Sequence, residues 1–532
     1  MYFSHAPLKI LGIAALAIVL IALALGTYDY KEAQYGQSKW TEIIARTIGG
    51  EVNAFGYSLR SLVGLSGVSY ERNRDGSETA RAIPVLTYHA IVSDNDKENV
   101  SPESFEGHNV GQREFEDQMF TLKRNGWHTV TLEEFDAFMR EGKSLPAKSF
   151  LLTFDDGAKE SYYPVDPLLK VLGYSAVSFI LPAYSSGEGT HYYLSKAEIG
   201  RALASGRWEI GSHGEDIHRF VQTDDASSSA PALANRAWLP AEGRLETVDE
   251  YETRVKDDLV TAKEQLSNIF GRPITAFAFP FGDYGQLTSN VPNASDFLKA
   301  ASAGVYDYTF YQWYKGEGYT YNYPDMRGSM VKRISVHPDW SGAELLALLE
   351  NGLPKNLPYE DDFSSDQGWL DSWGTHEVKD GTLTLRAVGG EAGASAILDG
   401  TGDWRDYDAH ITVASAKNTG VFVFVRFKGN DDYADCNIGN GFAHVEQMVG
   451  GDFRVIKGNR SGAIVIPEGP FTVDVHVRGR EVTCGINGTT LVDSTFLDES
   501  LDRGGIGFKA WDKVPNIATL VLDTLSVSRS TE

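Results

Sequence analysis

The run Ser149-Phe150-Leu151-Leu152-Thr153-Phe154-Asp155-Asp156-Gly157 decides how this chain is read. A short apolar, β-prone stretch closed by a turn signal reads as a buried strand. Here the strand stops abruptly at two carboxylates and a glycine. Adjacent carboxylates repel each other and lose hydration unless a cation, a proton or a helix start compensates. An Asp-Gly turn with one Asp capping a helix would also account for the motif. What the neighbouring strands end in decides between a turn and a site.

Upstream, Ile83-Pro84-Val85-Leu86-Thr87-Tyr88-His89 opens a strand. Downstream, the pattern predicts strands at Ala176–Leu181, Trp208–Gly211, Thr275–Phe279 and Arg333–Val336. Helical stretches alternate with them at Gln112–Asn125, Pro164–Leu172, Lys196–Ser205, Asp249–Phe270 and Ala343–Asn351. Such alternation over about 260 residues predicts an α/β domain, a (β/α) barrel or a variant of one.

The strand ends carry chemistry. Trp208-Glu209-Ile210-Gly211 runs into Ser212-His213, with His218 beyond. The next gives Phe279-Pro280-Phe281-Gly282-Asp283-Tyr284, and the last Ile334-Ser335-Val336-His337-Pro338. If all strands end on one rim, Asp156, His213 and His218 converge. One carboxylate and two neutral imidazoles suit a borderline divalent cation with open positions for water and substrate. Zn2+ is the first choice, with Co2+, Ni2+ or Fe2+ as alternatives. Taken alone, His213 and His218 read equally well as a polar helix entry.

Together these motifs resemble the polysaccharide deacetylases, the NodB-homology or carbohydrate esterase family 4 fold. Thr153–Gly157 resembles the family's first motif, which makes Asp155 the general base and Asp156 a metal ligand. Ser212–His218 has four residues between its histidines instead of the commoner three. That spacing resembles the branch that de-N-acetylates exported exopolysaccharide and makes His213 and His218 metal ligands. Phe277–Gly282 is similar to the third motif, implying that the Phe281 backbone N–H faces the oxyanion. Val336-His337 is similar to the fifth motif, implying His337 as general acid. The family's bracing Arg is replaced by Ala278, and Asp325, Arg327 or Arg333 are the candidate substitutes.

The resemblance implies a metal-dependent hydrolase that removes N-acetyl groups from an extracytoplasmic amino-sugar polysaccharide, working beside exopolysaccharide synthesis or export machinery. An O-acetyl polysaccharide esterase on the same site is one alternative. A catalytically weak glycan-binding or assembly protein is another, supported by Ala278. Aromatic residues crowd Tyr306–Tyr323. Sugars stack on such rings, which makes Tyr284, Tyr311 and Trp313 the candidate substrate contacts; packing of a loop onto the barrel is the competing reading.

Composition sets the outer limits. The chain has 532 residues and a formal charge of -25, from 73 acidic and 48 basic side chains. Such a field repels phosphate backbones and excludes nucleic acid as a partner. Two cysteines exclude a four-cysteine zinc site. Ile10–Gly26 is uncharged and apolar, long enough to enter a bilayer of about 30 Å. Residues 1–28 therefore read as a membrane anchor or transmembrane helix, with a cleaved signal segment as the alternative, and 29–82 as a stalk. The barrel-like domain takes 83–352 and a Pro-bearing linker 353–360.

Residues 361–532 alternate with period two between Gly-rich turns, which predicts an all-β sandwich. Asp361-Asp362-Phe363, Trp369, Trp373 and Gly504–Phe508 resemble concanavalin-like jelly rolls, which implies a glycan-associated module. Cys436 and Cys484 both lie there, either as a disulfide or as two buried thiols.

Overall fold

A computed structural model describes residues 39–64, 79–92, 109–187, 190–314, 318–324 and 330–530. The apolar run Ile10–Gly26 lies outside them. Among the described residues no helix is long and apolar enough to cross a membrane.

Seven parallel strands form the catalytic half. They are β1 (Val85–Tyr88), β2 (Ser149–Phe154), β3 (Ala176–Ile180), β4 (Trp208–Ser212), β5 (Ala276–Ala278), β6 (Tyr308–Gln312) and β7 (Met330–Ser335). Each pairs with the next in chain order, and β7 closes on β1 through Leu86 opposite Ile334 and Thr87 opposite Ser335. The result is a closed parallel barrel, with all seven carboxyl ends on one rim. Residues of β2 and β3 are buried throughout, as strands covered on both faces must be.

The surrounding helices are α1 (Lys39–Gly64), α2 (Gln112–Arg124), α3 (Leu132–Glu141), α4 (Asp166–Leu172), α5 (Lys196–Ala204), α6 (Val248–Phe270), α7 (Ala294–Ala303) and α8 (Gly342–Gly352). Four start with the same device. Thr131, Ser195, Thr247 and Ser341 each cap the first turn, and a glutamate three residues on bonds back.

Two expectations change. Residues 39–64, read as part of a stalk, form α1, which packs on the barrel through buried Ala54 and Tyr57, with the Tyr57 hydroxyl donating to Glu116. The aromatic run Tyr306–Tyr323 contains barrel strand β6. Its Phe310 packs between Phe135 and Phe179, so β-propensity was hidden beneath a composition that suggests sugar stacking.

Between β6 and β7 no helix is described. A strap carrying Tyr319–Tyr323 runs there, and Asn322 pairs with Ile83 just before β1. The sandwich packs on this strap. It consists of two antiparallel sheets, the expected all-β region. The disulfide Cys436–Cys484 joins them, one cysteine from each sheet.

The two halves share one apolar cluster. Tyr319, Tyr321 and Tyr323 meet Ile397, Phe424, Phe427 and Tyr433. The Tyr319 hydroxyl donates to the Phe427 carbonyl at 2.5 Å, and Thr320 Oγ1 to Asp399 Oδ2 at 2.5 Å. A Cβ at Gly505 would lie 2.0 Å from the Tyr319 hydroxyl, so only glycine admits this contact. Ending the chain at residue 356 exposes the strap's tyrosines to water. The shortened protein is expected to melt several degrees below the barrel transition of the full chain, by differential scanning calorimetry. An unchanged barrel transition would show that the sandwich contributes no support.

Candidate metal centre

The Asp-Asp-Gly turn after β2 bends through two consecutive left-handed residues, Asp156 (φ 69°) and Gly157 (φ 67°). The conformation is uncommon for a non-glycine residue. It leaves the two neighbouring carboxylates with different partners.

Asp155 faces inward and is 2% exposed. Arg333, on β7 and fully buried, grips it with a fork: one guanidinium nitrogen is 2.5 Å from Oδ1 and the other 2.8 Å from Oδ2. His89, just beyond β1, has Nε2 3.8 Å from Asp155 Oδ2. Burial pushes the Asp155 carboxyl up. The charge of Arg333, then His213, the Arg333 hydrogen bonds and His89 outweigh burial and hold it well below the usual carboxylate range. The fork is what a buried carboxylate needs.

Asp156 faces the histidines. Its Oδ1 lies 3.6 Å from His213 Nε2 and 3.6 Å from His218 Nε2. Its Oδ2 accepts from the Tyr192 hydroxyl at 2.9 Å. His213 Nδ1 is 2.8 Å from the Ala278 carbonyl, which only accepts, so this nitrogen carries the proton and Nε2 presents its lone pair. Burial pushes His213 down to about 4, against the opposing pull of Asp155, so its ring is neutral near pH 7. Asp156 Oδ1 is buried without a hydrogen-bond partner. A buried carboxylate oxygen with no hydrogen-bond partner among the described residues, facing two imidazole nitrogens, fits a cation. The three ligand atoms lie within 4.8 Å of one another.

The loop between the two histidines is fixed from below. Asp258, in the middle of α6, accepts the Glu215 N–H at 2.9 Å and the Asp216 N–H at 3.0 Å. Burial, only partly offset by those two N–H groups, raises it to about 6. Gly214 (φ 89°) makes the turn; a Cβ there would meet Ile217 at 2.5 Å. Phe281 (φ 59°) stacks its ring on His218 with ring centres 4.4 Å apart. Tyr184, Tyr192 and Tyr193 gather on one side of the site, with Tyr184 stacked on Tyr193 at 4.7 Å. Phe220 meets the edge of Phe281 at 5.2 Å.

The structure therefore brings Asp155, Asp156, His213, His218 and Phe281 together. His337 lies on the turn after β7, on the same rim. Its side chain is 55% exposed, with Nδ1 3.8 Å from Asp339 Oδ2 and its ring tilted toward Trp340. Each of the three candidate sugar contacts has a partner within the protein. Tyr311 is buried against Tyr284, Tyr284 also meets Phe279 and Lys299, and Trp313 donates to the Gly318 carbonyl. Of the substitutes for the missing arginine, Arg333 takes the position; Asp325 and Arg327 lie outside the described residues. His89, Tyr192 and Asp258 were missed as site residues. His89 ends a strand on the same rim, a signal that was legible. Asp258 carries none, being one acid among many on a helix.

Residues 142–297 match the polysaccharide deacetylase family model. This is a polysaccharide deacetylase domain. Its relatives include the poly-beta-1,6-N-acetyl-D-glucosamine N-deacetylase of Escherichia coli K12, 28% identical over 179 residues. That match covers 31% of this chain and 27% of the relative. The Staphylococcus aureus protein of the same name (strain MSSA476) is 26% identical over 204 residues, 37% of this chain and 63% of that one. A solved de-N-acetylase from Aggregatibacter actinomycetemcomitans aligns with a TM-score of 0.41 at 22% identity, over 50% of this chain and 98% of the other. The deacetylase domain thus spans less than two thirds of the curated relatives' own lengths.

Two outcomes follow for the deacetylase domain. Asp258→Ala frees the loop between the histidines and is expected to weaken zinc binding about 10–100-fold, read by competition with a chromophoric chelator. Arg333→Met strands the Asp155 charge in the barrel and is expected to cost roughly 3–5 kcal/mol of stability in urea unfolding. Wild-type zinc affinity in the first variant, or wild-type stability in the second, would remove the role assigned here.

Proposed function

We propose that the barrel removes N-acetyl groups from an amino-sugar exopolysaccharide outside the cytoplasm, with zinc held by Asp156, His213 and His218. The observation that carries this reading is an ionised, fully buried Asp155 locked by Arg333 directly beside the Asp-His-His group. An amide is a poor electrophile with a poor leaving group. A bound divalent cation supplies Lewis acidity at its carbonyl and lowers the pKa of water.

The chain's own groups do the rest. Asp155 takes the proton of the attacking water, and the Arg333 fork fixes the carboxylate for that transfer. The Phe281 backbone N–H is the proposed donor to the oxyanion. His337 is the proposed donor to the departing amine. Tyr192 holds Asp156 through its outer oxygen, which keeps the two carboxylates in separate roles. The reading of a catalytically weak protein rested on Ala278; Arg333 supplies the missing cation from another strand, and that support falls away. The names of the relatives favour a poly-N-acetylglucosamine substrate. The apolar run Ile10–Gly26 and the disulfide in the sandwich favour an exported chain.

Acetate release from β-1,6-linked N-acetylglucosamine oligomers tests the proposal. Chelation is expected to abolish release and zinc to restore it. Asp155→Asn is expected to lower kcat about 10²–10⁴-fold. Release that survives both chelation and the substitution would sink the mechanism, and release only from O-acetylated glycans would replace the amide substrate with an ester.

A further inference from the structure

One face of the sandwich is half covered and half open. Alternation sends Val421, Val423, Ala434, Cys436 and Val445 into the sandwich core. The residues between them, Phe422, Phe424, Asp435, Asn437 and His444, fall on the opposite face. Phe424 is packed into the cluster that holds the strap tyrosines. Further along, the same face opens into a cleft of ≈ 790 Å³ lined by Phe422, Asn437, Phe442 and Trp511 among others.

Asn437, at this cleft, belongs to a buried polar cluster of the same sheet. Asp435 is 1% exposed, Asn437 7% and Glu446 6%. Asn437 Nδ2 donates to both Glu446 oxygens at 3.3 Å, and His444 Nδ1 lies 3.2 Å from Glu446 Oε1. One acceptor remains at the cleft: Asn437 Oδ1 is buried with no hydrogen-bond partner among the described residues. Asn437 lines the cleft, so a donor arriving from solvent can reach its side chain.

Phe442 lines the cleft as a flat ring, and His444 lies behind it. Phe442 and His444 lie 4.9 Å apart. A Cβ at Gly439 would come within 2.4 Å of the Phe442 ring, and one at Gly458 within 2.7 Å of the His444 ring. Each ring therefore lies down over a glycine of the adjoining strand. Trp511 stands 43% exposed at the same cleft. Flat apolar rings beside an unmatched acceptor fit a pyranose, which offers a C–H face and an edge of hydroxyl or amino donors.

We propose that this cleft binds a sugar unit of a polysaccharide, its ring stacked on Trp511 and Phe442 and a donor turned to Asn437 Oδ1. The choice of glycan rests on the deacetylase reading above. A chain held there is tethered beside the barrel, which raises the local concentration of its remaining acetylated units.

The test uses the full chain stripped of metal, so that nothing is turned over. Acetylated and free-amine β-1,6-linked glucosamine oligomers are titrated calorimetrically into wild type, Trp511→Ala, Asn437→Ala and His213→Ala. Trp511→Ala, at an exposed position, is expected to weaken binding roughly tenfold with an unchanged melting temperature. With zinc restored, its acetate release from a disaccharide is expected to match wild type. His213→Ala is expected to retain cleft binding. Unchanged affinity in both cleft variants, loss of all binding in His213→Ala, or no binding by wild type would overturn the proposal. Oligomer binding at the cleft without acetate release would instead sink the deacetylase reading alone.

Discussion

The barrel is organised around one buried ion pair. Asp155 carries its charge almost fully buried, and Arg333 is the permanent cation that grips it. Their strands, β2 and β7, both border β1, so the fork spans the place where the barrel closes. Replacing such a pair with apolar residues is often neutral or stabilising, whereas removing one partner is costly. Stability alone therefore gives weak reason to keep it. A fixed, ionised carboxylate beside Asp156 gives a stronger one, because the two aspartates are adjacent in sequence and opposite in role. One is neutralised by a guanidinium, and the other is left with an open oxygen toward two imidazoles.

Much of this was legible before any coordinates. Thr153–Gly157 and Ser212–His218 carry the candidate ligands in side-chain types that leave few alternatives, and strand–helix alternation places them on one rim. The capping residues Thr131, Ser195, Thr247 and Ser341 also stand in the sequence with their glutamates. What failed to show was long-range. Arg333 was one of three candidates, because sequence spacing cannot say which cation crosses a barrel. Strand β6 hid in an aromatic run, since Tyr and Phe serve equally in a strand, a core and a sugar platform. Asp258 acts on a loop more than forty positions away through two hydrogen bonds that leave no periodic trace.

The strap between β6 and β7 changes how the two halves relate. The boundary at 353–360 suggests separable modules joined by a linker. The strap instead presents Tyr319, Tyr321 and Tyr323 to the sandwich, and buried Lys332, next to Arg333, donates to the Tyr319 carbonyl. The residues that bind the sandwich and the residue that braces Asp155 thus adjoin. An apolar, hydrogen-bonded junction of this kind makes the sandwich part of the structure that positions the site.

The central claim is that Asp155 and Asp156 divide their work, one paired with Arg333 and one open to a cation. Crystals of the full chain grown with zinc, measured on both sides of the zinc absorption edge, test it most directly. The expected map has an anomalous peak bonded to Asp156, His213 and His218, with Asp155 still forked on Arg333. A peak ligated by Asp155, or zinc bound elsewhere with these three side chains unengaged, would contradict it.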